Sequence, residues 1–385
     1  ALSVNTTGGS NNTAIGTIAL STNTTGSNNT AVGNRSLMSN TFGVYITALG
    51  FRSLGSNTTG VRNTAVGSYS QFSNTFGGYN TSLGESSLYT NITGSYNTAV
   101  GSKALQNNTT NGNSAFGYKA LFANTVGVSN VAVGYFALAA NTIASYNSAV
   151  GVTSLASNTT GAYNTAFGYG TLRYNTVGAY NTAGGTFALN NNTTGVNNSA
   201  FGSYSGYDIS TGGSNTTVGY NTGRGITTGN YNTILGANVT GLSATIANNI
   251  IIADGQGNRR INVDSSGNVG IGTTGPATKL EVVGTITCTT MIETSSVVAK
   301  TNVKKLTSQT AKIAKLSPVS FNYKKDNKRS LGLIAEEVAQ VYPELVEYEN
   351  GQPLGVNYSK LTSVLISAVN ELAAELAELK KQLNK

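Results

Sequence analysis

At 385 residues the chain is too long for one ordinary compact domain, so at least two units are expected. Only 10% of its residues are charged, 47 are glycine, and there is no histidine and one cysteine, Cys288, which removes His-based acid–base chemistry, His-ligated metals, Cys–His nucleophiles and intrachain disulfides. The net charge of +8 sits mainly in the last third: up to about residue 245 there are seven basic residues and two acids, Glu85 and Asp208. A nearly uncharged polar surface does not suit nucleic acid, which demands clustered cations.

Asn, Thr, Ser and Gly dominate the first two-thirds, a composition that would read as disorder were it not periodic. The motif Asn-Thr-Ala-Val-Gly and its variants place their Thr/Ser/Val position at 13, 30, 47, 64, 81, 98, 114, 131, 148, 165, 182, 199, 216 and 233. The step is 17 residues throughout, except for one of 16 between Thr98 and Ser114. Gly closes every copy, Asn opens all but the one headed by Ile46, and Leu follows the Gly by four residues in ten copies. A second Gly recurs at Gly26, Gly60 and Gly94.

These positions predict a short strand, a Gly turn, a second short apolar stretch and an Asn-Thr-Thr-Gly corner, with Ala and Leu facing inward. The glycines mark positive φ or close backbone approach, and the asparagines can stack into hydrogen-bonded ladders. One motif per coil predicts a β-solenoid, about 65–70 Å long if each repeat adds one inter-strand spacing of ~4.8 Å. One coil holds too little apolar volume for a core, so coils must stack and several chains are expected to associate.

The motif resembles the parallel β-roll in the heads of trimeric bacterial adhesins, though with a longer period, and a wound triple β-helix stays open beside it. Most repeat residues are expected to be scaffold. Tyr118, Tyr135, Phe136, Tyr169 and Phe187, just after the motif Gly, are candidates either to stack on sugar rings or to pack between chains, with packing favoured. The Asn-X-Ser/Thr sequences at Asn5, Asn23, Asn57, Asn91 and Asn108 are read as the corner of the repeat rather than as glycosylation sites.

The motif fades after Gly236. Asn248–Gly255, Arg260–Pro276 and Lys279–Gly284 alternate apolar residues with Gly, Asn and Pro, which predicts short strands and turns. The pattern Gly-Asn-Val-Gly-Ile-Gly-Thr-Thr-x-Pro-x-x-Lys-Leu-x-Val-x-Gly, from Gly267 to Gly284, resembles the segment that precedes the chaperone of phage-type tail fibres. Its Gly-Ile-Gly is not a nucleotide loop, because no helix follows.

From about Met291 charge rises and helical periodicity begins. The end of the chain carries two apolar heptad positions, Val369, Leu376 and Leu383 in one and Leu365, Leu372 and Leu379 in the other. Their alternating spacing of 4 and 3 predicts a left-handed coiled coil. The blocks Leu316-Ser-Pro-Val-Ser-Phe-Asn-Tyr, Gly332-Leu-Ile-Ala-Glu-Glu-Val and Val356-Asn-Tyr-Ser-Lys-Leu, in this order, resemble the endosialidase-type intramolecular chaperone. That family of Ser–Lys self-cleaving peptidases ends phage tail fibres and spikes, some eukaryotic-virus fibres and a membrane-bound transcription factor family. The resemblance implies a homotrimeric helical bundle that aligns the chains and then cuts itself off.

It further implies cleavage of the Thr294–Ser295 bond, with Ser295 as nucleophile and Lys300 as its base, five residues on. Lys can take a proton only if burial or a like charge lowers its pKa toward neutrality. Ser296 stands where the family usually has Asp, and Val297-Val298-Ala299 replaces a more polar run.

The expected organisation is therefore a mainly β, homotrimeric chain. A repeat shaft or head spans 1–245, a β-rich junction 246–290 and a chaperone with a C-terminal coiled coil 291–385. The function expected is that of a viral fibre or adhesin on the virion surface, binding a host-cell glycan or protein receptor and joined to other virion proteins through its N-terminus. No cofactor, metal, nucleic acid or membrane insertion is expected, since no apolar run can span a bilayer. Because the sequence opens on Ala1 and not on Met, a piece of a longer chain is expected. A polysaccharide-degrading spike would require paired carboxylates, which Glu85 and Asp208 in distant coils do not supply. A DNA-linked regulator ranks last, as no DNA-binding domain precedes the chaperone.

Overall fold

The computed structural model describes residues 9–290, 296–324, 327–349 and 351–384. The chain divides into two compact units, Ala1–Ile286 and Thr287–Lys385.

In the first unit every motif copy forms a three-residue strand, from β1 (Thr13–Ile15) to β14 (Thr233–Leu235). Each strand pairs in parallel and in register with the next, Thr13 on Thr30, Ala14 on Ala31, Ile15 on Val32, and so onward. The product is a β-solenoid of about fourteen turns. The ladder runs one rung beyond the motif: β15 (Ile250–Ala253) continues it in parallel, with Ile250 opposite Thr233. The stretch that reads as fading repeat keeps the Asn, at Asn249, and the inward residue, at Ile251, while Ala253 replaces the closing Gly.

Inside the coils sit the central strand residue and the Leu four after the Gly: Ala31, Ala99, Ala149, Leu37, Leu105 and Leu155 are all fully buried. Two columns of buried asparagine complete the interior. In one, each side-chain amide donates to the Asn Oδ1 one coil earlier, as Asn57 does to Asn40 at 2.9 Å and Asn141 to Asn124 at 2.8 Å. In the other, Asn Oδ1 accepts the backbone N–H of the next coil's Asn, as Asn63 does from Asn80 at 3.0 Å. Buried amides are tolerated because nearly every donor and acceptor is matched.

The chain turns in an unusual way. The motif-closing glycines have φ between +124 and +138°, and a Cβ at Gly101 would lie 2.6 Å from the carbonyl oxygen of Gly117 in the next coil. The buried leucines also adopt the left-handed region, with φ from +47 to +51°. This costs a side-chain-bearing residue about 1–2 kcal/mol. Burial of the leucine and a coil-to-coil hydrogen bond, such as Leu37 N–H to Ser53 O at 2.9 Å, offset it.

The 16-residue step has a local consequence. The Asn column breaks between Asn91 and Asn108, whose amide turns instead to the Thr110 carbonyl at 2.8 Å, leaving Asn91 Oδ1 buried without a partner. The apolar core is also split into two, one block ending at Ala65 and the other beginning at Leu88. Between them Gln71 occupies a leucine position and Ser82 an alanine position, both fully buried.

After β15 the chain makes two hairpins, to β16 (Arg259–Val263) and β17 (Val269–Ile271), both antiparallel, before β18 (Leu280–Val282) returns in parallel to β17. Both turns are built on Asp-x-x-Gly-Asn. Asp254 Oδ1 accepts from Gln256 and Asn258 N–H at 2.9 and 3.0 Å, and Asp264 Oδ1 from Ser266 and Asn268 N–H, each at 2.9 Å. The Asn258 side-chain amide foremost, then Arg260 and these backbone donors, hold the Asp254 carboxyl below its usual pKa, and the Asn268 N–H foremost does so for Asp264. The Gly270-Ile271-Gly272 stretch ends a strand, as its sequence context requires.

The second unit contains α1 (Thr310–Ile313), a hairpin of β19 (Val319–Asn322) and β20 (Arg329–Gly332), α2 (Ala335–Val341), a hairpin of β21 (Val346–Glu349) and β22 (Gln352–Val356), and α3 (Tyr358–Leu383). Val338, Tyr342, Leu345, Val346, Leu361 and Val364 form its core.

Candidate functional site: the C-terminal unit and its exposed helix

α3 begins where Asn357 Oδ1 accepts the Lys360 N–H at 3.1 Å, an N-cap, and ends with Lys380 and Lys381 in its last turn, where cations complement the helix dipole. Its first turns bury Leu361, Val364 and Ala368. Beyond Ala368, among the described residues, one flank of the helix meets the start of α1 through Glu371 and no side chain of the helix is buried. All six heptad residues are exposed, from Leu365 at 46% to Leu383 at 83%. The apolar seam, with the 4 and 3 spacing of a heptad, is open to water over nearly three heptads.

One carboxylate fastens α3 to the rest of the unit. Glu371 accepts from Gln309 N–H (2.9 Å), Thr310 N–H (2.9 Å) and Thr310 Oγ1–H (2.7 Å), capping the start of α1. These bonds, those from Gln309 foremost, lower its pKa to about 2. Gln309 in turn accepts, through Oε1, a hydrogen bond from the buried Tyr342 hydroxyl at 3.0 Å. Tyr342 is raised above the usual phenol value, chiefly by burial. Beside this staple an open apolar groove of about 530 Å³ lies among Ile313, Leu316, Val319, Leu331, Leu361 and Leu365. Leu365 thus belongs both to the groove and to the helix seam.

Of the residues implicated in self-cleavage, Thr294 and Ser295 lie outside the described residues. Lys300 is exposed and follows a single 3-10 turn, Val297–Ala299, whose N-cap is Ser296, accepting from Val298 N–H at 3.3 Å. In one chain Lys300 therefore lacks the desolvation that a lysine base requires.

The post-motif aromatics pack between coils of the same chain. Tyr118 stacks on Tyr135 (5.6 Å between centroids), Phe136 meets both edge-on, and Tyr169 meets Phe187 edge-on at 5.0 Å. A further exposed column, Tyr146–Tyr163–Tyr180, stacks at 5.0 Å per coil; the motif does not single it out, because its position also accepts Arg62, Ser129 and Asn197. The side chains of Asn23, Asn57, Asn91 and Asn108 are fully buried, so these corners present no amide to a glycosylating enzyme; Asn5 lies outside the described residues. Asp208 is bound by Arg224 at 2.7 Å and by the Gly225 N–H, and Glu85 by the Ser86 and Ser102 hydroxyls.

Residues 295–347 match the family described as chaperone of endosialidase. No curated protein and no solved structure matches the chain. The matched stretch runs from Ser295 into β21 and takes in α1, the first hairpin and α2. A stretch that matches this family, in one chain with a long β-solenoid, fits a tail-fibre or spike-type protein. Among the described residues no helix is long and apolar enough to cross a membrane.

Proposed function

We propose that the chain is one subunit of a homotrimeric viral fibre that attaches to a host-cell surface, and that its C-terminal unit aligns three chains and then cuts the Thr294–Ser295 bond. The observation that carries this reading is the union, in one chain, of a stiff repeat shaft with a unit matching the chaperone of endosialidase. The exposed seam of α3 supports assembly. Three copies packed through Val369, Leu372, Leu376 and Leu379 remove from water the side chains that a single chain leaves in it.

Assembly also supplies what the cleavage step lacks. A neighbouring copy packed near Lys300 buries it, disfavours its charged form and lets it accept the Ser295 proton. The Ser295 oxygen then attacks the Thr294 carbonyl carbon, the peptide C–N bond breaks as Lys300 returns the proton to the Ser295 nitrogen, and water hydrolyses the ester left between Thr294 and Ser295, freeing the Thr294 carboxylate and the Ser295 hydroxyl. Cleavage is accordingly a consequence of correct assembly. Many copies of one surface on three chains suit attachment through weak contacts multiplied by avidity, to a glycan or protein receptor on the host, with other virion proteins bound at the far end.

The test is the intact mass of freshly expressed protein under denaturing conditions, beside a Ser295→Ala control. A cut before Ser295 in the wild type alone is the expected result. Full-length chain in both would overturn the peptidase role and leave a permanent clamp.

A further inference from the structure

The outer face of the solenoid's ladder carries a pattern that the fold of a single chain does not require. Each rung has two outward positions flanking the buried central residue. The first is Thr or Ser on thirteen of the fifteen rungs β1–β15. The third is apolar on fourteen, Gly184 being the exception. These third residues point away from the core. Ile15 is 61% exposed, Phe167 51% and Leu83 48%. No rung carries a charge at either position, although charged residues are the common protection of an exposed β surface. Thr at the first position shows that polar side chains fit this face, so the apolar line is not forced by the strand.

The dimensions are those of an interface. Fourteen steps of ~4.8 Å by a strand of three residues at ~3.3 Å each give a face of roughly 650–700 Å², near the ~800 Å² per partner of a standard interface. Its apolar half, about 330 Å² by the same arithmetic, is unbroken except at Gly184 and falls in the size range in which an exposed apolar patch is often functional.

The period identifies the occupant. A partner must present one apolar group per ~4.8 Å over some 65–70 Å, a spacing set by parallel strand stacking. A second copy of this chain has that spacing by construction, rung for rung. It also brings no repulsion, since residues 1–245 hold seven basic and two acidic side chains, none on this face.

We propose that the third-position stripe, from Ile15 to Ile252, is the surface along which the solenoids of an assembly pack against one another. This rests on the homotrimeric reading above and adds to it the face each shaft turns toward the axis. Around a rotation axis the same residue of each copy then lies against its counterparts, which makes the stripe testable one residue at a time.

The experiment uses the full chain with Cys288→Ser and Ser295→Ala, carrying either Phe167→Cys on the stripe or Val177→Cys, an exposed residue ten positions further round the coil. Native mass is measured first, then a short bifunctional thiol cross-linker is applied at low protein concentration. The expected result is a trimer in which the Phe167→Cys chains link in pairs and the Val177→Cys chains do not. A trimer that links through position 177 and not 167, through both equally or through neither overturns the stripe while leaving the trimer intact. A monomeric mass overturns the assembly reading itself, and the stripe with it.

Discussion

The polar break in the solenoid core offers a quantitative test of how the shaft is held together. Gln71 takes a leucine position with φ +50°, within the range of the leucines themselves, so Leu fits its backbone. Its Nε2 donates to Thr64 O (3.1 Å) and Ser82 Oγ (2.9 Å), while its Oε1 is buried without a partner. Ser82 reaches Ser70, and Ser70 reaches Ser87 at 3.1 Å. In the variant Gln71→Leu with Ser82→Ala, burial of a leucine contributes about 1.5–3 kcal/mol. Loss of the orphaned Oε1 contributes about 1–3 kcal/mol, against about 0.5–1.5 kcal/mol for each of three hydrogen bonds removed and less for a fourth, the long one from Ser82 Oγ to Thr64 O at 3.4 Å.

The net expectation is a gain of about 1 kcal/mol, local to the coils between Thr64 and Val100. Amide hydrogen exchange of those coils, followed peptide by peptide, reads it as roughly 5-fold slower exchange. Unchanged exchange at distant coils completes the expected pattern. Exchange as fast as wild type or faster in the 64–100 region would refute the view that the polar plug is the weak point between two apolar blocks.

Four further outcomes follow from the same geometry. Gly101→Ala places a Cβ 2.6 Å from the Gly117 carbonyl oxygen at φ +128°, and should cost at least about 3 kcal/mol, seen as loss of soluble protein or a lower denaturation midpoint. Asn141→Ala removes the donor to Asn124 Oδ1 and the acceptor for Asn158, and should cost about 1–3 kcal/mol in the same assay. Glu371 has a folded pKa depressed to about 2, so its stapling of α1 is fully present above the usual carboxylate value near 4.5 and fades as pH falls from there toward 2; Glu371→Gln should abolish that acid step in the exchange of α1 amides. Leu372→Lys with Leu376→Lys leaves the core of the C-terminal unit untouched, and should yield folded monomer by sedimentation and, on the proposed coupling, uncut chain by mass.

The shaft is unusually legible because periodicity speaks where composition does not. Asn, Thr and Gly in bulk suggest disorder, but Gly16, Gly33 and their successors at fixed spacing predict a stacked backbone. The central alanines and the leucines four after each Gly are inward as the pattern requires. What the pattern does not convey is conformation at residues with ordinary side chains. Nothing about Leu37 or Leu105 announces a left-handed backbone, because the strain is offset only by neighbours one coil away.

The fifteenth rung escapes the motif for a related reason: Ile250, Ile251, Ile252 and Ala253 share the register of the repeat but not its letters. In the C-terminal unit the heptad of α3 is plain, whereas the Glu371 staple joins residues 61 and 62 apart in sequence and has no local signature. For the aromatics after the motif Gly the sequence favours packing between chains; the contacts that Tyr118, Tyr135 and Phe136 make run between coils of one chain, a pairing the motif does not announce.

The most direct measurement of the central claim is the native mass of the full-length Ser295→Ala chain beside its Leu372→Lys/Leu376→Lys derivative. A chaperone-built fibre predicts three chains in the first and one in the second, both folded. A monomer in the first, or a trimer that survives loss of the seam, would contradict the account that the C-terminal unit assembles the shaft.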